Sequence, residues 1–79
     1  MQNENDNDLI KKKVDIFFNS ATLVHIKFKK GYWKRGLIKE ISSDFFMLDE
    51  RLEGIMPVFF QEIVSIEKFK EEEKGYGST

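Results

Sequence analysis

The residue types in this chain that could do chemistry crowd around one glycine. Lys29, Lys30, Lys34 and Arg35 flank Tyr32 and Trp33, with Gly31 between the two groups. Cations that neutralise phosphates, set beside rings that stack on bases, are what sequence-tolerant binding of a single nucleic-acid strand requires. A plainer reading competes with this one. Aromatic residues on strands often belong to a core or a subunit contact, and a lysine-rich strand face is often only solvated.

Catalysis is not expected. There is no cysteine nucleophile and no phosphate-cradling glycine loop, and Ser42-Ser43 has no evident base or orienting partner. His25 is the single histidine, whereas a metal site needs three or four converging ligands. The sequence therefore predicts a binding protein with no catalytic residues, cofactor, metal or small-molecule substrate.

The chain has 79 residues, about half of the ~150 usual for one domain. Folding a chain this short buries only roughly 60–65% of the surface exposed when unfolded, so partner subunits become a natural source of stability. Hydrophobic residues make up 41% and charged residues 34%, which is a globular composition. No apolar run approaches the ~20 residues of a bilayer span. The first eight residues are polar and acidic where a secretory signal would be basic and then apolar, so a cytoplasmic protein without membrane contact is expected.

The net charge of −1 conceals a segregation. Residues 9–39 hold nine bases against Asp15 alone, whereas residues 40–79 hold ten acids against four bases. A basic half joined to an acidic half suits either a polyanion or head-to-tail attraction between copies.

Residues 1–8 read as a disordered acidic tail and residues 70–79 as a flexible charged, glycine-rich tail, because neither has apolar content to pack. Residues 9–69 form the domain. From Leu9 to Phe18 the pairs Leu9/Ile10, Lys13/Val14 and Phe17/Phe18 recur every four residues, as in an amphipathic helix. Asp6, Asn7 or Asp8 is available to cap it, and Asn19-Ser20 to end it. From Thr22 the period becomes two, with Val24, Ile26 and Phe28 alternating with His25, Lys27 and Lys29. Lys30-Gly31 is a turn. A second strand follows from Tyr32 to Ile41, its Gly36 marking a sharp bend or bulge. Later strands are expected at Phe45–Asp49, Ile55–Phe60 and Ile63–Phe69. One helix and five short strands predict a mostly β fold, a small and strongly bent antiparallel barrel preceded by an N-terminal α-helix.

The fourth strand, Ile55-Met56-Pro57-Val58-Phe59-Phe60, shows no alternation, so it carries apolar side chains on both faces. A domain this thin covers only one of them. Pro57 argues for an edge, and an apolar edge strand invites a second copy. The alternative is that the helix covers the strand and the protein is a monomer. Phe45 and Phe46, on opposite faces of the third strand, cannot both be core residues, which leaves one of them for a lumen or a subunit contact.

The order of elements resembles that of the Sm-like (Lsm- and Hfq-like) family, as does the run Val24-His25-Ile26-Lys27-Phe28-Lys29-Lys30-Gly31-Tyr32-Trp33-Lys34-Arg35-Gly36-Leu37-Ile38. Gly31 and Gly36 hold the family's two glycine positions. Val58-Phe59-Phe60-Gln61-Glu62-Ile63-Val64-Ser65-Ile66 is similar to its second motif, a strand, a tight turn and a strand. The resemblance implies a ring of six or seven copies that binds RNA, closed by pairing the fourth strand of one copy with the fifth of the next. Met56, Val58, Phe59, Phe60, Val64 and Ile66 are then the candidate subunit contact. The base-holding Asp and Asn of Sm proteins fall on Ser42 and Phe46, and the Lys-His pair of the Hfq branch on Phe60 and Gln61. Phe45 matches a phenylalanine that stacks on a base. The expected function is RNA binding through Lys29, Lys30, Tyr32, Trp33, Lys34, Arg35 and Phe45. A non-catalytic Sm-like or SH3-like protein-interaction module without RNA is the alternative, favoured by Glu62 and the missing lumen residues.

Overall fold

The computed structural model describes residues 2–70. It contains one helix, α1 (Gln2–Asn19), and strands β1 (Val24–Phe28), β2 (Trp33–Ile41), β3 (Phe45–Glu50), β4 (Gly54–Phe59) and β5 (Ile63–Lys68), with a single 3-10 turn, Phe60–Glu62, between the last two. Met1 and residues 71–79, hence all but Lys70 of the expected C-terminal tail, lie outside the described residues.

The helix starts earlier than its apolar stripe. Residues 2–8, expected to be a tail or a cap, are its opening turns. Ile10, Val14 and Phe17 face the sheet, whereas Leu9 and Phe18 are exposed, so one residue of each apolar pair packs. The helix ends as expected. Ser20 N–H donates to the Ile16 carbonyl and Thr22 N–H to that of Phe17, both at 3.0 Å, and Ala21 takes a left-handed conformation with φ 53°.

The strands form one antiparallel sheet in the order β4-β3-β2-β1-β5. Alternation along β1, β3 and β4 sends Val24, Ile26, Phe28, Phe46, Leu48 and Val58 inward, where they meet Ile38, Phe60, Ile63, Ile66 and the helix residues in one core. The sheet bends through register shifts between Ile38 and Glu40 and between Lys27 and Phe28. Gly36 is not itself the bulge. It permits close approach of β2 and β3, since a Cβ built there would lie 2.2 Å from the Asp49 carbonyl oxygen.

β4 and β5 are the two open edges. Phe60 N–H donates to the Asp44 carbonyl at 3.0 Å, and bonded pairs alternate along an antiparallel ladder. Val58 and Met56 therefore bond to β3, while Phe59, Pro57 and Ile55 turn their main-chain groups outward. Pro57 costs the β3–β4 ladder nothing, which is why proline is tolerated there. The helix packs chiefly on β2, β5 and the 3-10 turn rather than on β4. Ile55 and Phe59 consequently stay exposed, at 56% and 37%.

Candidate nucleic-acid interface

The β1–β2 hairpin is closed by Phe28 N–H donating to the Tyr32 carbonyl and Gly31 N–H to that of Phe28, at 2.9 and 2.8 Å. Gly31 has φ 101°, a conformation that favours glycine. The register pairs Lys27 with Trp33 and His25 with Arg35. These four residues occupy the alternate positions opposite the core-facing Val24, Ile26 and Phe28, so they form a two-by-two array on the outer face of the sheet.

The array is layered. The rings of His25 and Trp33 lie 4.2 Å apart between centroids and are tilted by 32°. Phe69, just beyond β5, meets His25 edge-on at 5.5 Å, and the Arg35 guanidinium lies 4.5 Å from the Phe69 ring centre. Lys27 Nζ stands 5.8 Å from the Trp33 ring centre. Trp33 nevertheless remains 48% exposed. A half-open indole with an ammonium beside it and a guanidinium at the next outward position of its strand can stack a base while neighbouring phosphates are neutralised.

Strand alternation divides the residues that sequence proximity groups together. Lys29 and Lys30 are exposed at the hairpin tip. Tyr32 stacks on Phe28 at 4.6 Å, nearly parallel, and so leaves the layered array. Lys34 stands 5.4 Å from the Tyr32 ring centre and pairs with Glu53 at 3.2 Å. Its side chain is only 16% exposed, so it is a weak candidate for a phosphate contact. Beside it, the Glu50 carboxylate accepts the N–H groups of Leu52 and Glu53. The Glu53 N–H bond holds its pKa below the ordinary 4.5; burial opposes this, and the Leu52 N–H and the Lys34 charge add to it.

Phe45 lies elsewhere. It begins β3 opposite Phe59, 5.3 Å between ring centres, near the end of β2 remote from the hairpin. Among the candidate contact residues, Phe59 and Val64 are exposed and Met56 is half-buried. Val58, Phe60 and Ile66 are buried in the protomer's own core, Val58 and Ile66 at inward positions of β4 and β5 and Phe60 at the start of the 3-10 turn rather than in the fourth strand. Nothing in the sequence marks His25 and Phe69 as binding residues. The period-two pattern places His25 opposite the core, but its contact with Trp33 depends on a register that no local pattern reveals.

A mostly β chain in which one helix precedes a bent five-stranded antiparallel sheet has the Sm-like fold. In particular, it is similar to a solved structure of the pleiotropic translational regulator Hfq, with a TM-score of 0.63 and 20% identity, over 71% of this chain and 92% of that one. No family model and no curated protein matches the chain.

Proposed function

We propose that this chain is an Sm-like RNA-binding protein, cytoplasmic and non-catalytic, that assembles as a ring-shaped homo-oligomer and holds single-stranded RNA on the outer face of the β1–β2 hairpin. The observation that carries the reading is the half-exposed Trp33, tilted against His25 and flanked on the same sheet face by Lys27 and Arg35. Trp33 is the base platform. Lys27, Arg35, Lys29 and Lys30 meet phosphates, and Tyr32 and Lys34 stiffen the hairpin from its other side. The likeness to Hfq, described as a translational regulator, supports this direction.

Ring closure rests on the two open edges. Pairing β4 of one copy with β5 of the next is a head-to-tail contact, which closes into a ring when the rotation per subunit divides a full turn. Phe59 and Val64 supply apolar area to that contact, and Phe45, its ring tilted against that of Phe59, backs it. A hexamer or heptamer is the expected assembly.

Anisotropy of labelled oligoadenosine and oligouridine tests the reading. Trp33→Ala should weaken binding by about 5- to 150-fold, since a base–aromatic stack contributes roughly 1–3 kcal/mol. Phe59→Lys should dissociate the ring. Purified protein that retains neither oligonucleotide, and carries no nuclease-sensitive ultraviolet absorbance, would favour the protein-interaction module instead.

A further inference from the structure

The Arg51-Leu52-Glu53 turn is fastened at every residue. Arg51 N–H donates to the Arg35 carbonyl at 3.2 Å, and the Glu50 carboxylate receives Leu52 N–H at 2.8 Å and Glu53 N–H at 2.7 Å. Glu53 is held in turn by Lys34, and Gly54 closes the turn with φ 83°. What this anchored turn presents is Leu52, which at 87% is the most exposed large apolar side chain among the described residues. An apolar tip on a fixed support loses little conformational freedom when a partner covers it.

Beside Leu52 runs an open groove of about 460 Å³ whose walls include Trp33, Phe69, Arg35 and Arg51. It continues past the two arginines to Leu23, itself 41% exposed. Glu50 also lines the groove, its carboxylate accepting the turn's N–H groups, and Glu53 is paired with Lys34. Asp49 borders the far end without bridging either guanidinium. Arg35 and Arg51 have no salt-bridge partner among the described residues, so the groove carries apolar side chains toward its ends and two unpaired guanidiniums, beside Glu50, at its centre.

We propose that this groove docks an acidic peptide segment of a partner protein, its carboxylates on Arg35 and Arg51 and a large apolar side chain against Leu52. Guanidiniums pair with carboxylates through two parallel hydrogen bonds, and arginine and aromatic residues anchor such contacts. Leu52 and Leu23 separate this surface from the RNA face, because a nucleic-acid strand draws on rings and cations and makes little use of exposed aliphatic side chains. The groove shares Trp33 and Arg35 with that face but depends on Leu52 and Arg51, which lie outside it.

Trp33 is the only tryptophan, so its emission reports occupancy directly. The probe is a capped heptapeptide of four glutamates, one leucine, one phenylalanine and one aspartate, titrated into the full chain. Control peptides replace the acids by amides or the two apolar residues by serine. A saturable shift in Trp33 emission is expected, weakened at least tenfold for either control and for Leu52→Ser and Arg51→Glu. Anisotropy with labelled oligouridine should be unchanged in Leu52→Ser. Absence of a saturable shift overturns the proposal, as does equal affinity in Leu52→Ser. So does parallel loss of peptide and oligouridine in that variant, which would make the groove part of an RNA surface. An emission change that follows protein concentration alone would assign the groove to a second copy and would likewise overturn it. Peptide binding by protein that ignores oligonucleotides would leave this inference standing and remove only the RNA reading.

Discussion

Replacing Lys27 and Arg35 together by glutamine should flatten the salt dependence of RNA binding without unfolding the protein. The cations assigned to phosphates are Lys27, Lys29, Lys30 and Arg35, none with a carboxylate partner among the described residues. Each phosphate neutralised on a single strand contributes about 0.7 to the slope of log K against log salt, so four contacts give about 2.8 per protomer and two give about 1.4. Between roughly 50 and 200 mM salt the unaltered protein should therefore lose about 50-fold in affinity, and the double variant about 7-fold. Lys34→Gln serves as the internal control: its ammonium is engaged by Glu53, so it should keep the full slope. Anisotropy of a labelled oligonucleotide across a salt series measures all three slopes, and circular dichroism checks folding. An unchanged slope in the double variant would refute the placement of the strand on this face, as would a slope in Lys34→Gln as shallow as that of the double variant.

Three further outcomes follow from the fold. Gly36→Ala places a methyl group 2.2 Å from the Asp49 carbonyl oxygen, so β2 and β3 must separate. The loss of stability should reach or exceed the upper end of the ~1–3 kcal/mol typical of overpacking, read from the urea midpoint. Ala21→Gly relieves a left-handed alanine at the helix end and should add about 1 kcal/mol, or about 4–8 °C in Tm for a domain of this size. Glu50 has a folded pKa below its ordinary 4.5, so the stability it contributes is present above that value and is lost as the pH falls through the folded one. Glu50→Gln should flatten this acid limb of the urea midpoint plotted against pH, and an unaltered limb would show that the turn does not depend on the carboxylate.

Much of the fold is legible because side-chain period reports on burial. Val24, Ile26 and Phe28 alternate without interruption, and they form β1 with the expected faces. The strand ends fall where Gly31, Ser42-Ser43-Asp44 and Gly54 interrupt the apolar pattern. The start of α1 is not legible, since the sequence of residues 2–8 holds no apolar periodicity and nothing marks it except charge. The candidate site is legible in composition but not in arrangement. In Trp33-Lys34-Arg35 every residue is polar or amphipathic, so no pattern tells which side faces out until pairing with His25 and Lys27 fixes it. That pairing turns Lys34 toward Glu53 and brings together His25, Trp33, Arg35 and Phe69, the first and last of them separated by more than two-thirds of the domain.

Native mass spectrometry of the untreated, purified protein reads the assembly and any bound nucleic acid together. A closed assembly of six or seven copies is expected, carrying an added mass that nuclease removes. A protomer that stays single at micromolar concentration, with no nucleic acid attached, would contradict both the edge-to-edge ring and the strand on its outer face.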